Sequence, residues 1–189
     1  AYILLVLLAV LLGRPFLDTI TLYFNQTGSI GSGLNYNSPS VYSTFQYSLP
    51  QEYNAAASAL GIIAAAVYMI VILIICYVNR NRLTEKSILA AALLFAIGIP
   101  FLLPHMHDRY FFAADILSVI TAFAAVRFSA IPLLVQFASL LGYHAYLKLR
   151  YLLLMDRGAW ALIAALILSL WFFVSALGRK YNKFPRCKE

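Results

Sequence analysis

From Asn54 to Val78 the chain runs without one charged residue, and few folds accept apolar sequence of that length. A helix rises about 1.5 Å per residue, so about 20 residues cross the hydrocarbon core of a bilayer. Inside hydrocarbon every backbone N–H and C=O must be satisfied within the protein, which leaves helices or closed barrels. Runs this long are helices, because a barrel strand needs only about 9–11 residues. Further apolar runs predict spans over 87–103, 110–126, 130–147 and 158–177, with Gly98 and Pro100 interrupting the first of these. Small residues open the 54–78 span (Ala55 to Ala57, Ala64 to Ala66) and suit close helix packing. Residues 1–12 are also apolar, but too few to span, and they lack the basic flank and cleavage site of a signal peptide. They read as the outer part of a helix whose start is missing, and the sequence as the C-terminal part of a longer protein. The expected fold is all-α: a single polytopic transmembrane bundle over residues 1–189, of about five full spans plus a truncated first one.

Apolar residues make up 63% of the chain and charged residues 11%, against about 45–50% and 25% in soluble domains. A net charge of +7 would suit nucleic acid in a soluble protein. Here the basic residues flank apolar runs, where topology and lipid headgroups account for them, so no nucleic-acid partner is expected. Cys76 and Cys187 both fall near the side assigned below to the cytoplasm, where disulfides are rare. Neither has a zinc-ligand spacing.

Placing the 79–86 turn in the cytoplasm puts Arg80, Arg82, Lys86, Arg127 and the basic tail 179–189 on that side. Arg14, Arg109, Lys148, Arg150 and Arg157 fall on the other. The positive-inside rule selects this orientation, and the protein reads as multi-pass in a bacterial plasma membrane. The polar segment 13–53 then lies outside. It begins Gly13-Arg14-Pro15, allows a short amphipathic helix from Phe16 to Phe24, and carries a weak glycosylation sequon at Asn25-Gln26-Thr27. Its later half is turn-rich and aromatic, with Tyr36, Tyr42, Phe45, Tyr47 and Tyr53 expected mostly at headgroup level. By span parity this segment shares a face with the charged stretch that follows the 87–103 span, and an inverted topology would not separate them.

That stretch runs from His105 to Asp115 and holds two histidines, two aspartates and Arg109. Pro104 disfavours helix in the residue before it, so the preceding span should end there. A helix starting near His107 would put Asp108 and Asp115 two turns apart, about 10.5 Å, on one face. Arg109 supplies a planar five-donor fork suited to phosphate. An ordinary reading exists: Asp108 as a first-turn charge, Arg109 reaching lipid phosphate, Tyr110, Phe111 and Phe112 as an aromatic belt. It does not account for Asp115, which lies far enough into the span to need a partner, a cavity or a proton. His105, His107 and Asp108 are compatible with a divalent metal but do not indicate one, since further ligands at fixed spacing are missing. His144, beside Tyr143 and Tyr146, reads as interfacial and hydrogen-bonded. Phosphate-binding glycine loops, serine nucleophile elbows and usable cysteine–histidine pairs are absent from the sequence.

The block His107-Asp-Arg-Tyr-Phe-Phe112 followed by Asp115-Ile-Leu-Ser118 resembles the H-[ED]-R-Y-F-x-x-x-D-x-L-S signature of bacterial Gpi18-like mannosyltransferases, multi-spanning glycosyltransferases of the GT-C superfamily. Gly13 to Asp18 and Asn35 to Tyr42 are similar to that family's outer loop, with Ser40 where asparagine is usual and Tyr42 where tryptophan is usual. The resemblance implies inverting transfer of a sugar from a polyprenyl-phosphate donor to a glycan, lipid or protein acceptor at the extracytoplasmic face. No cofactor is assigned; the polyprenyl-phosphate sugar is the donor substrate. The family's general base is a carboxylate in an earlier outer loop, ahead of Ala1, so no catalytic residue is assigned here. The substrate-binding set it implies is His107, Asp108, Arg109, Tyr110, Asp115, Arg14 and Asn37. Arg109 and His107 would bind the donor phosphate and stabilise the leaving group's charge, and Arg14 would be a second phosphate-binding residue. Asp108 and Asp115 would orient the cations or bond a sugar hydroxyl. Two other classes stay open: a transporter or flippase with the cluster as its substrate or proton site, and a non-catalytic subunit packed on a partner.

Overall fold

The computed structural model describes residues 6–7, 10–21, 33–45 and 50–178. The sequon, Tyr47, Cys187 and the basic tail lie outside the described residues. The chain divides into two compact units, Ala1–Gly33 and Leu34–Glu189. In the first, helix α1 (Phe16–Ile20) follows Pro15, with Asp18 in its first turn. Thr19 and Thr21 each donate a hydroxyl to the carbonyl four residues back. Arg14 is exposed just ahead of it.

The second unit contains α2 (Asn54–Val78), α3 (Glu85–Leu102), α4 (Phe112–Ala124), α5 (Ala130–Lys148) and α6 (Met155–Gly178). Four stretches are long and apolar enough to cross a membrane: Gln51–Val78, Glu85–Leu102, Val126–Lys148 and Met155–Gly178. The run 110–126 takes another form than the single long helix expected. Its α-helix has 13 residues, about 20 Å, against a core of about 30 Å. Tighter 3₁₀ turns flank it at Asp108–Phe111 and Val126–Phe128, and Ala125, at φ −153°, ends it.

Helix α3 is the centre. Ala90, Leu93, Leu94 and Ile97 are buried along one stripe, at the three- and four-residue spacing of a helix face. They pack with Leu162, Ala165, Phe172 and Phe173 of α6 in one core. A capping box starts α3: the Thr84 N–H donates to Ser87 Oγ at 2.7 Å, and the Ser87 N–H donates to Thr84 Oγ1 at 3.2 Å. Two such reciprocal bonds satisfy donors that a helix start leaves open. The interruption expected at Gly98 and Pro100 does not occur; the helix runs through both. Gly98 is there for close approach, since a Cβ would fall into the ring of Tyr68 on α2. The helix then ends at Leu102, with Leu103 extended ahead of Pro104 as expected.

Helix α2 differs from expectation in its packing. Only Gly61, Ala65 and Ile72 are buried, and Ala55, Ala56, Ala64 and Ala66 are exposed. A helix apolar on all sides yet mostly uncovered is suited to lipid, where helix contacts depend on close van der Waals packing at a few small residues.

The helices alternate in direction. At one end α2 and α6 begin and α3 and α5 end, all meeting the segment 34–45. The Tyr42 hydroxyl donates to Leu102 O at 3.1 Å and lies 3.3 Å from Ala57 O. A Cβ on Gly142 or Gly158 would press on Asn37 O at 3.0 Å or Pro39 Cβ at 2.9 Å. At the opposite end Arg127 stands 4.3 Å over the Trp171 ring, and Phe128 packs on Phe172 with centroids 4.9 Å apart. Thus 108–128 traverses the bundle between its ends despite the short α4.

Candidate functional site

The site is assembled by a two-residue parallel ladder. Strand β1 (Asn35–Tyr36) pairs with β2 (Met106–His107), Asn35 opposite Met106 and Tyr36 opposite His107. The His105 N–H extends it to Leu34 O at 2.8 Å. Asn37 and His105 flank the ladder in the left-handed region, at φ 58° and 59°. Asn and His are the non-glycine residues that accept this region most readily, and such conformations persist only where their surroundings over-determine them. Asn35 fixes the next turn: its Nδ2 donates to Ser38 O at 2.7 Å, and its Oδ1 accepts the Ser38 N–H at 3.1 Å. The shared face expected for the 13–53 segment and the His-Asp-Arg stretch is therefore a direct backbone pairing for 34–36 with 105–107.

Four rings gather on this ladder. Tyr36 stacks on His107 at 5.0 Å and 18° and lies 6.5 Å from His105. His107 is 6.1 Å from Tyr110. The His105 Nε2 stands 3.3 Å from Ser58 Oγ of α2. The hydroxyls of Tyr36, Ser38 and Ser40 are enclosed and make no hydrogen bond among the described residues. Such groups are rare in folded proteins.

Asp108 is buried in the 3₁₀ turn. Its Cβ and the Asn37 carbonyl both crowd Gly142 of α5. The Tyr151 hydroxyl donates to Asn37 Oδ1 at 2.7 Å. Arg109 and Tyr110 are exposed at the rim. Tyr42 anchors the loop from beneath, and burial pushes its phenol up from the ordinary 10.0, which keeps it a donor.

Asp115 has found partners. Its Oδ1 accepts the Ser139 hydroxyl at 2.6 Å and its Oδ2 the Tyr143 hydroxyl at 3.2 Å. Its backbone carbonyl accepts from Ser118 Oγ at 2.9 Å and Gln136 Nε2 at 3.2 Å. Gln136, Ser139 and Tyr143 lie on one face of α5, at three- and four-residue spacing. Because α4 starts only at Phe112, Asp108 and Asp115 do not share one continuous helix as expected. They share α5 instead, Asp108 at Gly142 and Asp115 at Ser139 and Tyr143. Among the described residues neither aspartate is ion-paired with Arg109 or His107, and no group of three or more His, Cys, Asp or Glu could hold a metal. His144 is half-buried and hydrogen-bonded as expected, its Nδ1–H donating to Arg150 O at 3.1 Å.

Of the residues implied by the resemblance, Asn37, His107, Asp108, Arg109, Tyr110 and Asp115 lie in the Leu34–Glu189 unit, and Arg14 lies in the other. Ser58, Ser139, Gly142 and Tyr151 were not singled out from sequence. The signal available was polar and small residues recurring at 136, 139, 142 and 143 of an otherwise apolar run.

The fold defines a class, a multi-pass membrane protein built as a helix bundle. No family model, curated protein or solved structure matches the chain.

Proposed function

We propose that the chain is part of an integral membrane glycosyltransferase of GT-C type, which moves a sugar from a polyprenyl-phosphate donor to an acceptor at the extracytoplasmic face. The observation that carries this reading is the β1–β2 pairing. Two segments, 35–42 and 107–118, resemble separate parts of one family, and the pairing joins them at one end of the bundle. Arg109, exposed at the rim, takes the donor phosphate as a charge-assisted fork. His107, its ring plane fixed by Tyr36, stands beside the leaving group and stabilises its charge. Asp108 offers its carboxyl group to a sugar hydroxyl. Asp115 acts at a distance, fixing α4 on α5 beneath the site. On the resemblance the general base is a carboxylate of an earlier outer loop, and none of the described residues is assigned that role. A transporter would want an ionisable group open to a pathway near the midplane; Asp115 is instead engaged by two hydroxyls.

The test is transfer of isotope-labelled sugar from a polyprenyl-phosphate donor by the full-length protein carrying Arg109→Ala. Loss of one preorganised charge-stabilising group lowers turnover by about 10²–10³-fold. Unchanged transfer removes Arg109 from the site.

A further inference from the structure

We infer that the turn joining α5 to α6, together with the helix ends that flank it (residues 148–157), is a seat for anionic phospholipid, with its leucines in the headgroup–acyl boundary and its cations on lipid phosphate. This does not rest on the glycosyltransferase reading.

The location comes from the helices. Lys148 ends one stretch long and apolar enough to cross a membrane, and Met155 begins the next. What lies between must sit at a membrane surface. Turns at such a place are ordinarily polar, and the turn between α2 and α3 is: Asn79, Arg80, Asn81, Arg82 and Thr84, with Leu83 half-buried. The 148–157 turn is different. Leu149 is 91% exposed, Leu152 57%, Leu153 49% and Leu154 64%. Contiguous exposed apolar surface in a turn marks an interaction site. Lys148, Arg150 and Arg157 are all exposed beside it, while the one acid, Asp156, has Oδ1 enclosed. Leucines with interspersed basic residues and no exposed acid match the boundary of an anionic leaflet, where Lys and Arg bind lipid phosphate.

The backbone is committed to this shape. Leu149 adopts φ 53°, a region an L-residue with a branched side chain enters only under constraint. The His144 Nδ1–H holds the Arg150 carbonyl, and the Arg157 N–H closes on Leu154 O at 3.1 Å. The result aims the most exposed leucine of the turn away from the bundle. Tyr151, from the same turn, bonds Asn37, so lipid seating is mechanically tied to the 35–39 loop.

The experiment uses the full chain in nanodiscs. Leu153→Trp, in a Trp160→Phe/Trp171→Phe background, reports depth by quenching from phospholipid brominated near the headgroup. Native mass spectrometry counts retained phosphatidylglycerol for the parent, for Lys148→Gln/Arg150→Gln/Arg157→Gln, and for Arg80→Gln/Arg82→Gln at the opposite end. The expected result is blue-shifted, quenched emission from Leu153→Trp, and retention reduced at least threefold in the first set while the second set matches the parent. Water-like emission from Leu153→Trp overturns the proposal. So does phosphatidylglycerol retention that is equal in the Lys148/Arg150/Arg157 set and the parent.

Discussion

Removing the Ser139 hydroxyl tests how Asp115 is tolerated inside the bundle. The bond is short, 2.6 Å, and Asp115 is 8% exposed, so water replaces the lost donor poorly. Hydrogen bonds to charged groups contribute about 1.5–3 kcal/mol, whereas interhelical bonds in membranes average about 0.6 and reach about 1.7 kcal/mol, because the unfolded chain in lipid also finds partners. The membrane reference state decides here, and so short a bond to a carboxyl group belongs at its upper end. Ser139→Ala should therefore cost about 1–2 kcal/mol. Asp115→Ala leaves a Ser139 hydroxyl that can bond back to its own helix carbonyl, as Ser169 does to Ala165 O at 2.7 Å, so the two changes are not symmetric. A double-mutant cycle in reversible detergent unfolding isolates the pair, with an expected coupling of about 1–2 kcal/mol. Coupling below about 0.3 kcal/mol, inside the scatter of independent sites, would refute the assignment of Asp115 as a bonded link between α4 and α5.

Other perturbations follow from the same packing. Gly61→Ala puts a methyl into the Tyr42 hydroxyl and should cost about 1–3 kcal/mol by overpacking, read as a lower midpoint of thermal unfolding; Tyr42→Phe in the same chain should recover part of the loss. Gly142→Ala crowds Asn37 O at 3.0 Å and Asp108 Cβ at 3.2 Å, so sugar transfer should fall more than stability does, and equal losses would count against the site. Tyr36→Phe keeps the stack on His107 and should hold transfer within about threefold, while Tyr36→Ala should lose about tenfold, the equivalent of one aromatic pair of up to about 1.5 kcal/mol. Arg127→Ala removes the cation over Trp171 and should cost about 0.5–1 kcal/mol of stability with transfer unchanged.

The helices were legible because hydrocarbon leaves apolar backbone no other choice, and the 34–36 pairing with 105–107 was foreshadowed by span parity. Helix interruptions were misread for a local reason. Pro100 costs α3 one N–H bond, which a packed bundle tolerates, and Gly98 serves Tyr68 rather than a break. The length of α4 was hidden because Tyr110 and Phe111 extend the apolar run, though they belong to a 3₁₀ turn, Asp108–Phe111, and the α-helix is only Phe112–Ala124. Asp115 needs a partner on sequence grounds alone, but Ser139 and Tyr143 are ordinary residues of an otherwise apolar run until α5 is placed against α4. Tertiary pairing of this kind has no one-dimensional signature. Tyr42 joins α2 to α3 through its hydroxyl, and Ser40 is buried with its carbonyl taken by Ser43 Oγ at 2.6 Å; neither role is visible in the turn-rich sequence around them.

The central claim is glycosyl transfer at the bundle end that carries the β1–β2 ladder. Its most direct measurement is sugar transfer by the full-length protein in oriented proteoliposomes, with the labelled polyprenyl-phosphate donor confined to one leaflet at a time. Product is expected only when the donor occupies the leaflet at the His107 end. Transfer from the Arg127 end alone, or no transfer from either leaflet, would contradict it.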